Sequence, residues 1–587
     1  MICLIAVAIG GVSACVALGL LRLIGLITNA VFYRRFATSL VAPGAAHHAT
    51  AVILLAPAVG GLIVGLMARF GSERIRGHGM PEAIEAILTG GSKVAPRVAV
   101  LKPISAAVTI GTGGPFGAEG PIIMTGGAVG SVVAQFLRLT ADERKTLLVA
   151  GAAGGMAATF NAPLASVLLA VELLLFEWRP RSYLPVATSV VMATIVRGYL
   201  LGTAPVFAMP AVSLHLTPVV YLCCVLVGVS GGLLAVGATG LVYFAEDTFN
   251  KLRIHWMWWP AIGGLVIGVG GLAQPRALGV GYDVIRELVL GKATMGLIVG
   301  ILVVKTLIWS LSLGSGTSGG VLAPTFMIGG ALGALEGHAF AHVEPGFWAL
   351  MGLAAVVGGV MRSPLTGIVF SLELTHDWPA LLPLTVCASA AFGLSVLVLK
   401  RSVLTEKIAR RGLHLSREYD VDPLEMLLVH EVMHREFTSF TPQTPLAVAA
   451  RAFVADHRQT RNAAHRQRLY PVLDAQLRLH GVVTRRDMLD AALGAPTGET
   501  VGDIMVHAIV AHPDETLRAV ANRMADRRVS RLPVVDRDDP TRIRGLVTLV
   551  DLLAGRRKDL HEERHAERVF RVRLRPAQWT AEPARLP

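Results

Sequence analysis

The stretch GTGGPFGAEGPIIMTGGAVG, residues 111–130, holds a single carboxylate, Glu119, in a glycine-rich break between two apolar segments. An ionised group in such surroundings is costly unless something pairs with it. Gly120 leaves the backbone free to turn and Pro121 suits the first turn of a helix, so we expect Glu119 at a helix N-terminus with free amides ahead of it. We therefore predict that Glu119 competes with an anion for those amides. The alternative is a buried carboxylate that only caps a structural helix.

The composition indicates a membrane body followed by a soluble tail. Of the 587 residues, 53% are hydrophobic and only 16% are charged. Residues 1–410 carry 26 Lys/Arg and 17 Asp/Glu, whereas residues 411–587 carry 28 and 24. The net charge of +13 is not clustered as a nucleic-acid face would be, so we expect no nucleic-acid partner. Basic loops on an apolar body fit the positive-inside rule and predict a multi-pass protein in membrane lipid.

The second half of the chain repeats the first. Residues 111–130 align with GSGTSGGVLAPTFMIGGALG, residues 314–333, and APLASVLLAVEL, residues 162–173, aligns with SPLTGIVFSLEL, residues 363–374. Lys102 falls opposite Lys305 in the same register. Many of these apolar segments are broken by Gly and Pro before they reach twenty residues, which at membrane depth is tolerated where the backbone is buried or lines an aqueous path. We predict a transport protein with a pseudo-two-fold axis and repeats at about 49–200 and 257–400.

Three glycine-rich loops precede helix starts in this repeat: GHGMP at 77–81, GAEGP at 117–121 and GGVLAP at 319–324. Each is weak evidence by itself. In repeat register, they predict three positive helix ends that converge on one anion.

These loops, with AGAAGGMAATFNAPLASVLLAVEL at 150–173 and MRSPLTGIVFSLELT at 361–375, resemble the CLC family of chloride channels and proton/chloride exchangers. The resemblance covers roughly residues 1–412. It implies an all-α polytopic membrane protein made of an inverted repeat of broken, tilted helices, and a homodimer whose subunits each carry an anion pathway. Chloride is the implied ligand, and no metal or required cofactor is implied. The family's gating glutamate falls on Glu119, and its anion-binding positions fall on Gly77, His78, Gly79, Gly117, Ala118, Gly120, Gly320, Val321 and Leu322.

Three positions depart from the family pattern. His78 stands where a serine hydroxyl is usual, and a protonated imidazole there would make conduction pH-dependent; in the alternative, the ring packs aside and the backbone amides bind the anion. Leu173 occupies the position of the exchangers' inner proton-relay carboxylate, so that relay is lost and Glu172 is interpreted as structural. Leu404 replaces the usual inner-gate tyrosine at the anion pathway, which removes about one hydrogen bond, roughly 1 kcal/mol.

Leu173 and Leu404 favour a gated passive anion channel, with Glu119 as the gate. Proton-coupled exchange of chloride or another anion is the alternative. The sequence leaves the preferred anion open among chloride, nitrate, bromide and fluoride. We expect the protein in the plasma or inner membrane of the cell.

The tail contains a smaller repeat. VHEVMH at 429–434 aligns with VGDIMV at 501–506, and HGVVTRRDML at 480–489 aligns with RGLVTLVDLL at 544–553. This resembles a tandem pair of CBS domains, which implies α/β units at 430–495 and 500–556, on the cytoplasmic side. A linker at 413–429 and a charged, partly flexible tail at 557–587 would flank them. The S/T-x-x-D pattern of such pairs is met by Thr484 with Asp487 and by Thr548 with Asp551, and implies adenine nucleotide (ATP, ADP or AMP); many CBS pairs bind nothing.

A remote alternative is a membrane zinc metalloprotease. Residues 430–434 read HEVMH, a literal zinc-protease signature. Against it, the segment aligns with VGDIMV of the second tail unit, and no third ligand follows at a typical spacing. We therefore expect a protein that is not an enzyme.

Overall fold

The computed structural model describes residues 1–88, 91–209, 216–340, 343–399, 401–410, 424, 427–449, 467–494 and 499–553. The chain divides into two compact units, Met1–Tyr419 and Asp420–Pro587. Most of the predicted linker at 413–429 and all of the predicted tail at 557–587 lie outside the described residues.

Helices and the loops between them make up the described residues of the first unit. Its first half contains α1 Ile2–Tyr33, α2 Thr50–Phe70, α3 Met80–Leu88, α4 Pro96–Gly111, α5 Glu119–Phe136, α6 Ala141–Phe160, α7 Pro163–Leu169, α8 Pro180–Leu201 and α9 Pro218–Asn250. Its second half contains α10 Trp259–Ala273, α11 Tyr282–Val289, α12 Met295–Gly300, α13 Thr306–Gly314, α14 Leu322–Glu336, α15 Phe347–Met361, α16 Pro364–Thr375, α17 Leu381–Val398 and α18 Val403–Arg410. Two π-helical turns, Ala170–Leu175 and Ile301–Lys305, follow α7 and α12.

Long and short helices alternate as the broken segments predict. Among the described residues, seven helical segments are long and apolar enough to cross a membrane. Between them lie shorter apolar helices of 15 residues or fewer, such as α14 and α15. The predicted fold class, a polytopic inverted repeat of broken helices, is therefore confirmed.

In each of the two repeats, a buried lysine binds the equivalent loop. Lys102 Nζ donates to the carbonyls of Ile75 and Gly77, at 2.8 and 2.7 Å. Lys305 Nζ donates to the carbonyls of Ala277 and Gly279, both at 2.8 Å. Each lysine thus fixes the loop that precedes a short helix, α3 in one repeat and α11 in the other.

The carboxylates of the second aligned motif bind across the repeats. Glu172 accepts hydrogen bonds from the Thr366 amide and hydroxyl, at 2.9 and 2.6 Å, in the first turn of α16. Glu373 accepts from the amides of Leu164 and Ala165, at 2.9 and 2.8 Å, in the first turn of α7. Each carboxylate satisfies helix-terminal amides that would otherwise be buried without an acceptor.

Close helix packing depends on glycine where α5 meets α6. A side-chain carbon at Gly126 would strike the carbonyl of Gly151, and one at Gly151 would strike the carbonyl of Gly126. Small residues at such crossings let helix backbones approach closely in a membrane protein. The same reciprocal contact joins Gly329 of α14 to Gly352 of α15.

The soluble unit repeats one α/β motif. Its described elements are α19 Val429–Val432, β1 Leu469–Leu473, β2 Leu479–Thr484, α20 Arg485–Gly494, α21 Val501–Ile504, α22 Leu517–Arg527, β3 Arg531–Val535 and β4 Ile543–Thr548. Strands β1 and β2 are antiparallel, as are β3 and β4, and each pair has a register shift at the same place, between Val472 and Leu473 and between Val534 and Val535. The α/β pair predicted for the tail is confirmed.

Candidate anion site

Glu119 is the first residue of α5 and is completely buried. Its Oε1 lies 3.5 Å from the Tyr282 hydroxyl, which donates to it. Its Oε2 is enclosed and has no hydrogen bond of standard geometry within the described part of the chain. The backbone amides of Glu119 and Ala323 lie close enough to stabilise the carboxylate, one from each repeat. The side chain therefore occupies a space between two helix N-termini, α5 and α14.

The loops before α5 and α14 pair directly. The Gly320 amide donates to the Gly117 carbonyl at 2.8 Å, and the Gly117 amide donates back to the Gly320 carbonyl at 3.4 Å. A methyl group added at Gly320 would lie 2.7 Å from Oε2 of Glu119, so only glycine leaves room for that carboxylate. Ala118, Val321 and Leu322 complete the two loops and are buried.

The third predicted loop, residues 77–81, joins the same cluster. The Gly77 amide donates to the Gly316 carbonyl at 3.3 Å, and the Gly319 amide donates to the Gly77 carbonyl at 3.4 Å. Gly77 and Gly79 have φ angles of 77° and 88°, a conformation that glycine adopts without strain. A side chain at Gly120 would strike the carbonyl of His78. The structure thus brings together the predicted anion-binding residues of all three loops.

A cavity of about 770 Å³ opens beside this cluster. We call it the tail-side cavity, because Lys407 of α18, the last helix before the soluble unit, lines it together with Gly77 and His78. Its lining is rich in both signs of charge and includes Glu73, Arg74, Arg76, Glu82, Glu85, Lys93 and Glu246. With Lys407 counted, the lining has four acidic and four basic side chains.

Leu404, the remaining predicted anion-binding residue, lies on α18 and not in one of the three loops. It is buried on α18, which packs against α3 and α15. Lys407 Nζ binds Glu82 Oε1 at 3.0 Å, and Tyr243 of α9 donates to the Val403 carbonyl at 2.5 Å. Leu404 thus adjoins a tyrosine hydroxyl supplied by another helix, a contact across 160 residues that the sequence analysis did not find.

Leu173 is buried in the π-helical turn Ala170–Leu175 and is 1% exposed. An alkyl side chain there takes up no proton. The neighbouring carboxylate, Glu172, binds the first turn of α16 as described above. The next carboxylate along the chain, Glu177, lies 3.5 Å from Lys145 and accepts a hydrogen bond from the Ser182 hydroxyl.

Two further side chains at the site, Tyr282 and Arg76, were missed by sequence reasoning. Tyr282 reaches Glu119 from the other repeat and packs edge-on against Phe160 and Phe207. The Arg76 guanidinium lies over the ring of Trp256, 4.5 Å from its centroid, at the tail-side cavity. For Tyr282, the one signal in the sequence was its position in the repeat. Tyr282 follows Gly281 in the loop before α11, as Met80 follows Gly79 in the loop before α3.

The two S/T-x-x-D motifs of the soluble unit differ in their surroundings. The Thr484 hydroxyl donates to Asp487 at 2.6 Å, and the Thr548 hydroxyl donates to Asp551 at 2.8 Å. Asp487 is exposed, whereas Asp551 is buried and also binds His434 Nε2 at 2.8 Å. The sequence analysis treated the two motifs alike, but only the first presents an exposed carboxylate.

A cleft of about 560 Å³ adjoins the first motif. Thr484 lines it together with five arginines, namely Arg468, Arg485, Arg486, Arg528 and Arg531. Arginine binds phosphate through planar, paired hydrogen bonds, so the cleft has the chemistry for a phosphorylated ligand.

The HEVMH segment does not form the helical pair of histidines that a zinc protease uses. Helix α19 ends at Val432, and Met433 is extended, so His434 lies beyond the helix. His430 Nδ1 binds the Pro513 carbonyl, and His434 Nε2 binds Asp551. Among the described residues, no group of three or more His, Cys, Asp or Glu side chains is arranged to hold a metal ion.

Comparison with known proteins identifies both units. A family model described as voltage gated chloride channel matches residues 60–396, and a CBS domain model matches residues 429–494 and 501–557. The H(+)/Cl(-) exchange transporter ClcA of Citrobacter koseri is 34% identical over 348 residues, which covers 56% of this chain and 71% of the relative. The ClcA of Salmonella arizonae matches to the same extent.

Solved structures share the fold. A slow cyanobacterial Cl⁻/H⁺ antiporter superposes with a TM-score of 0.62 at 20% identity, and covers 70% of this chain and 97% of its own. A eukaryotic CLC transporter superposes with a TM-score of 0.58 at 20% identity, and covers 94% of this chain and 97% of its own. The chain therefore belongs to the voltage gated chloride channel family, the CLC chloride-transport proteins, and carries a tandem CBS pair in its soluble unit.

Proposed function

We propose that the protein exchanges chloride for protons across a membrane, with Glu119 as the group that both ions use. The main observation in support of this proposal is the position of the Glu119 carboxylate. It is buried between the N-termini of α5 and α14, in a space that suits an anion. When the carboxylate is ionised it fills that space. When it is protonated, helix amides hold it less strongly and a chloride ion can replace it.

Curated relatives support coupling over passive conduction. The relatives at 34% identity are named H(+)/Cl(-) exchange transporters. Leu173 and Leu404 led the sequence analysis to favour a gated channel, which is now the alternative. Leu173 removes one route for the proton from the tail side, but it leaves Glu119, where proton and chloride compete.

The test is proton movement in liposomes that contain the purified protein. A chloride gradient should drive protons against their own gradient. Glu119→Gln should abolish this movement and let chloride pass, because a neutral amide neither carries a proton nor competes as an anion. Glu177→Gln is the matched control, since Glu177 is a carboxylate of the same unit that binds Lys145 and lies outside the anion site.

Chloride flux without proton movement in the unmodified protein would refute exchange and favour the channel. Equal proton movement in Glu119→Gln and in the unmodified protein would refute the role of Glu119. A panel of anions in the same assay would rank chloride, nitrate, bromide and fluoride.

We also propose a homodimer in the plasma or inner membrane, with the CBS pair in the cytoplasm. Large apolar side chains on α8, such as Leu184, Val191 and Ile195, are at least half exposed and suit lipid or a second copy. Mass measurement in detergent and cysteine labelling from each side of the membrane would test both statements.

For the soluble unit we propose adenine nucleotide as a regulatory ligand of the arginine-lined cleft. The five arginines suit the phosphates, and Thr484 with Asp487 suits the ribose and the nearest phosphate. Titration calorimetry of the full-length protein with ATP, ADP and AMP tests this. Absence of binding at millimolar nucleotide would refute it.

A further inference from the structure

A proton that reaches Glu119 from the tail side needs a route that the usual relay position does not supply. Leu173 is apolar and 1% exposed, and Glu172 binds the first turn of α16. Glu119 itself is fully buried and does not line the tail-side cavity. Exchange, as proposed above, therefore requires another group between this cavity and Glu119.

His78 lies in that position. It lines the tail-side cavity, and only 4% of its surface is exposed. Its two neighbours, Gly77 and Gly79, are both in the left-handed region and have no side chains, so His78 provides the one side chain of residues 77–79. On its other side its carbonyl faces Gly120, the residue that follows Glu119. His78 thus lines the cavity, and its backbone carbonyl adjoins the first turn of α5.

The charged neighbours of His78 come from three helices and already have partners. Glu82 of α3 interacts electrostatically with His78, and it also binds Lys407 of α18 at 3.0 Å and accepts the Gly79 amide at 3.0 Å. The Nζ of Lys102, on α4, donates hydrogen bonds to two backbone carbonyls. The charged groups around His78 are therefore of both signs, Glu82 against Lys102 and Lys407, and an imidazole can both take up and release a proton.

We propose that His78 is the proton-transfer residue on the tail side, in place of the carboxylate that Leu173 replaces. A ring nitrogen takes up a proton from water in the tail-side cavity, and the imidazolium then releases a proton to the Glu119 carboxylate. The neutral acid leaves its space between α5 and α14, and chloride enters. The reverse order carries protons out. Only protons move in these steps, and no electron transfer is needed. This inference rests on the proposed exchange function.

The test uses His78→Asn and His78→Ala in the liposome assay. We expect chloride-driven proton movement to fall about 100-fold, the lower end of the range for a positioned proton-transfer group. Chloride flux should fall far less, because the backbone of residues 77–79 remains. The ratio of protons to chloride is therefore the readout, and a purely structural role of His78 would lower both fluxes together. Glu177→Gln should keep the ratio of the unmodified protein.

Chemical rescue gives a second measurement. The tail-side cavity, at about 770 Å³, is large enough for free imidazole. Imidazole added to His78→Ala should restore proton movement in proportion to its concentration, and should leave Glu119→Gln unrescued. If His78→Ala does not fold, the ratio of protons to chloride measured in His78→Asn is the remaining test.

Each outcome is decisive. An unchanged proton to chloride ratio in the His78 variants would overturn the role of His78 and leave exchange intact. A lack of proton movement in the unmodified protein would overturn exchange, and the inference with it. Loss of both fluxes in equal measure, without rescue by imidazole, would reduce His78 to a structural residue.

Discussion

In the first repeat, the helix that faces the anion site begins with Glu119, whereas the equivalent helix of the second repeat begins with Leu322. The loop before α3 carries His78, whereas the loop before α11 carries Val280. The backbone around these positions is nearly the same. Gly79 and Gly281 are both left-handed, and Gly117 and Gly320 pair with each other.

The buried lysines and the cross-repeat carboxylates, by contrast, are kept in both halves. Lys102 and Lys305 each bind two loop carbonyls, and Glu172 and Glu373 each bind helix-terminal amides. The groups that hold backbone therefore occur in both repeats, whereas Glu119 and His78, to which the proposals above assign proton transfer, occur in one repeat only. Variants that make the repeats alike, or that break the matched pairs, test that difference.

The largest effect is expected from Glu119→Leu, which makes the two loops chemically alike. Chloride-driven proton movement should fall to the level of empty liposomes. Anion flux should rise and lose its acid stimulation, because no carboxylate competes for the amides or needs a proton to leave. Flux assays at several pH values measure this, and Glu177→Gln should retain the normal pH response. A flux that still rises with acid in Glu119→Leu would place the sensor elsewhere.

The next effect concerns the matched lysines. Lys102→Met and Lys305→Met each leave two buried carbonyls without a donor, at about 1 to 3 kcal/mol apiece, so each variant should lose roughly 2 to 6 kcal/mol of stability. Thermal unfolding in detergent should show similar losses for both. Lys292→Met, at an exposed position, is the control. A large loss for one lysine and none for the other would contradict the equivalence of the repeats.

The matched carboxylates predict a smaller loss. Glu172→Gln keeps an oxygen acceptor for both Thr366 donors and should lose about 1 kcal/mol, the difference between a charged and a neutral hydrogen bond. Glu373→Gln keeps an acceptor for one amide only and leaves the other facing an NH2 donor, so it should lose about 1 to 3 kcal/mol. The same unfolding assay applies, with exposed Glu344→Gln as the control. The proton to chloride ratio should not change in either variant. A selective loss of proton movement in Glu172→Gln would make Glu172 a relay group and revise its structural role.

The sequence predicted much of the scaffold, because its signals are local. Gly and Pro at fixed places mark loops and helix starts, and an offset of about 200 residues reveals the repeat. The loops at 77–81, 117–121 and 319–324 meet as predicted. In the soluble unit, alternating apolar residues and aligned motifs predicted two similar α/β units, and their strand registers match.

Contacts between distant side chains were not predictable in the same way. Tyr282 reaches Glu119 across 163 residues, and Lys407 reaches Glu82 across 325. Such pairs have no local spacing, because they depend on how helices cross. The hydrogen bond from His434 to Asp551 spans 117 residues. Because of it, the two S/T-x-x-D motifs, which look alike in the sequence, have different surroundings.

That difference predicts the smallest effect. Asp487 is exposed beside the arginine-lined cleft, whereas Asp551 already binds His434 and Thr548. Asp487→Asn should therefore weaken adenine nucleotide binding about threefold to fivefold, close to the loss of one net hydrogen bond of about 1 kcal/mol, and Asp551→Asn should weaken it less. Calorimetry on the full-length protein measures both. A stronger loss in Asp551→Asn would mean that nucleotide displaces His434 and binds at the second motif instead.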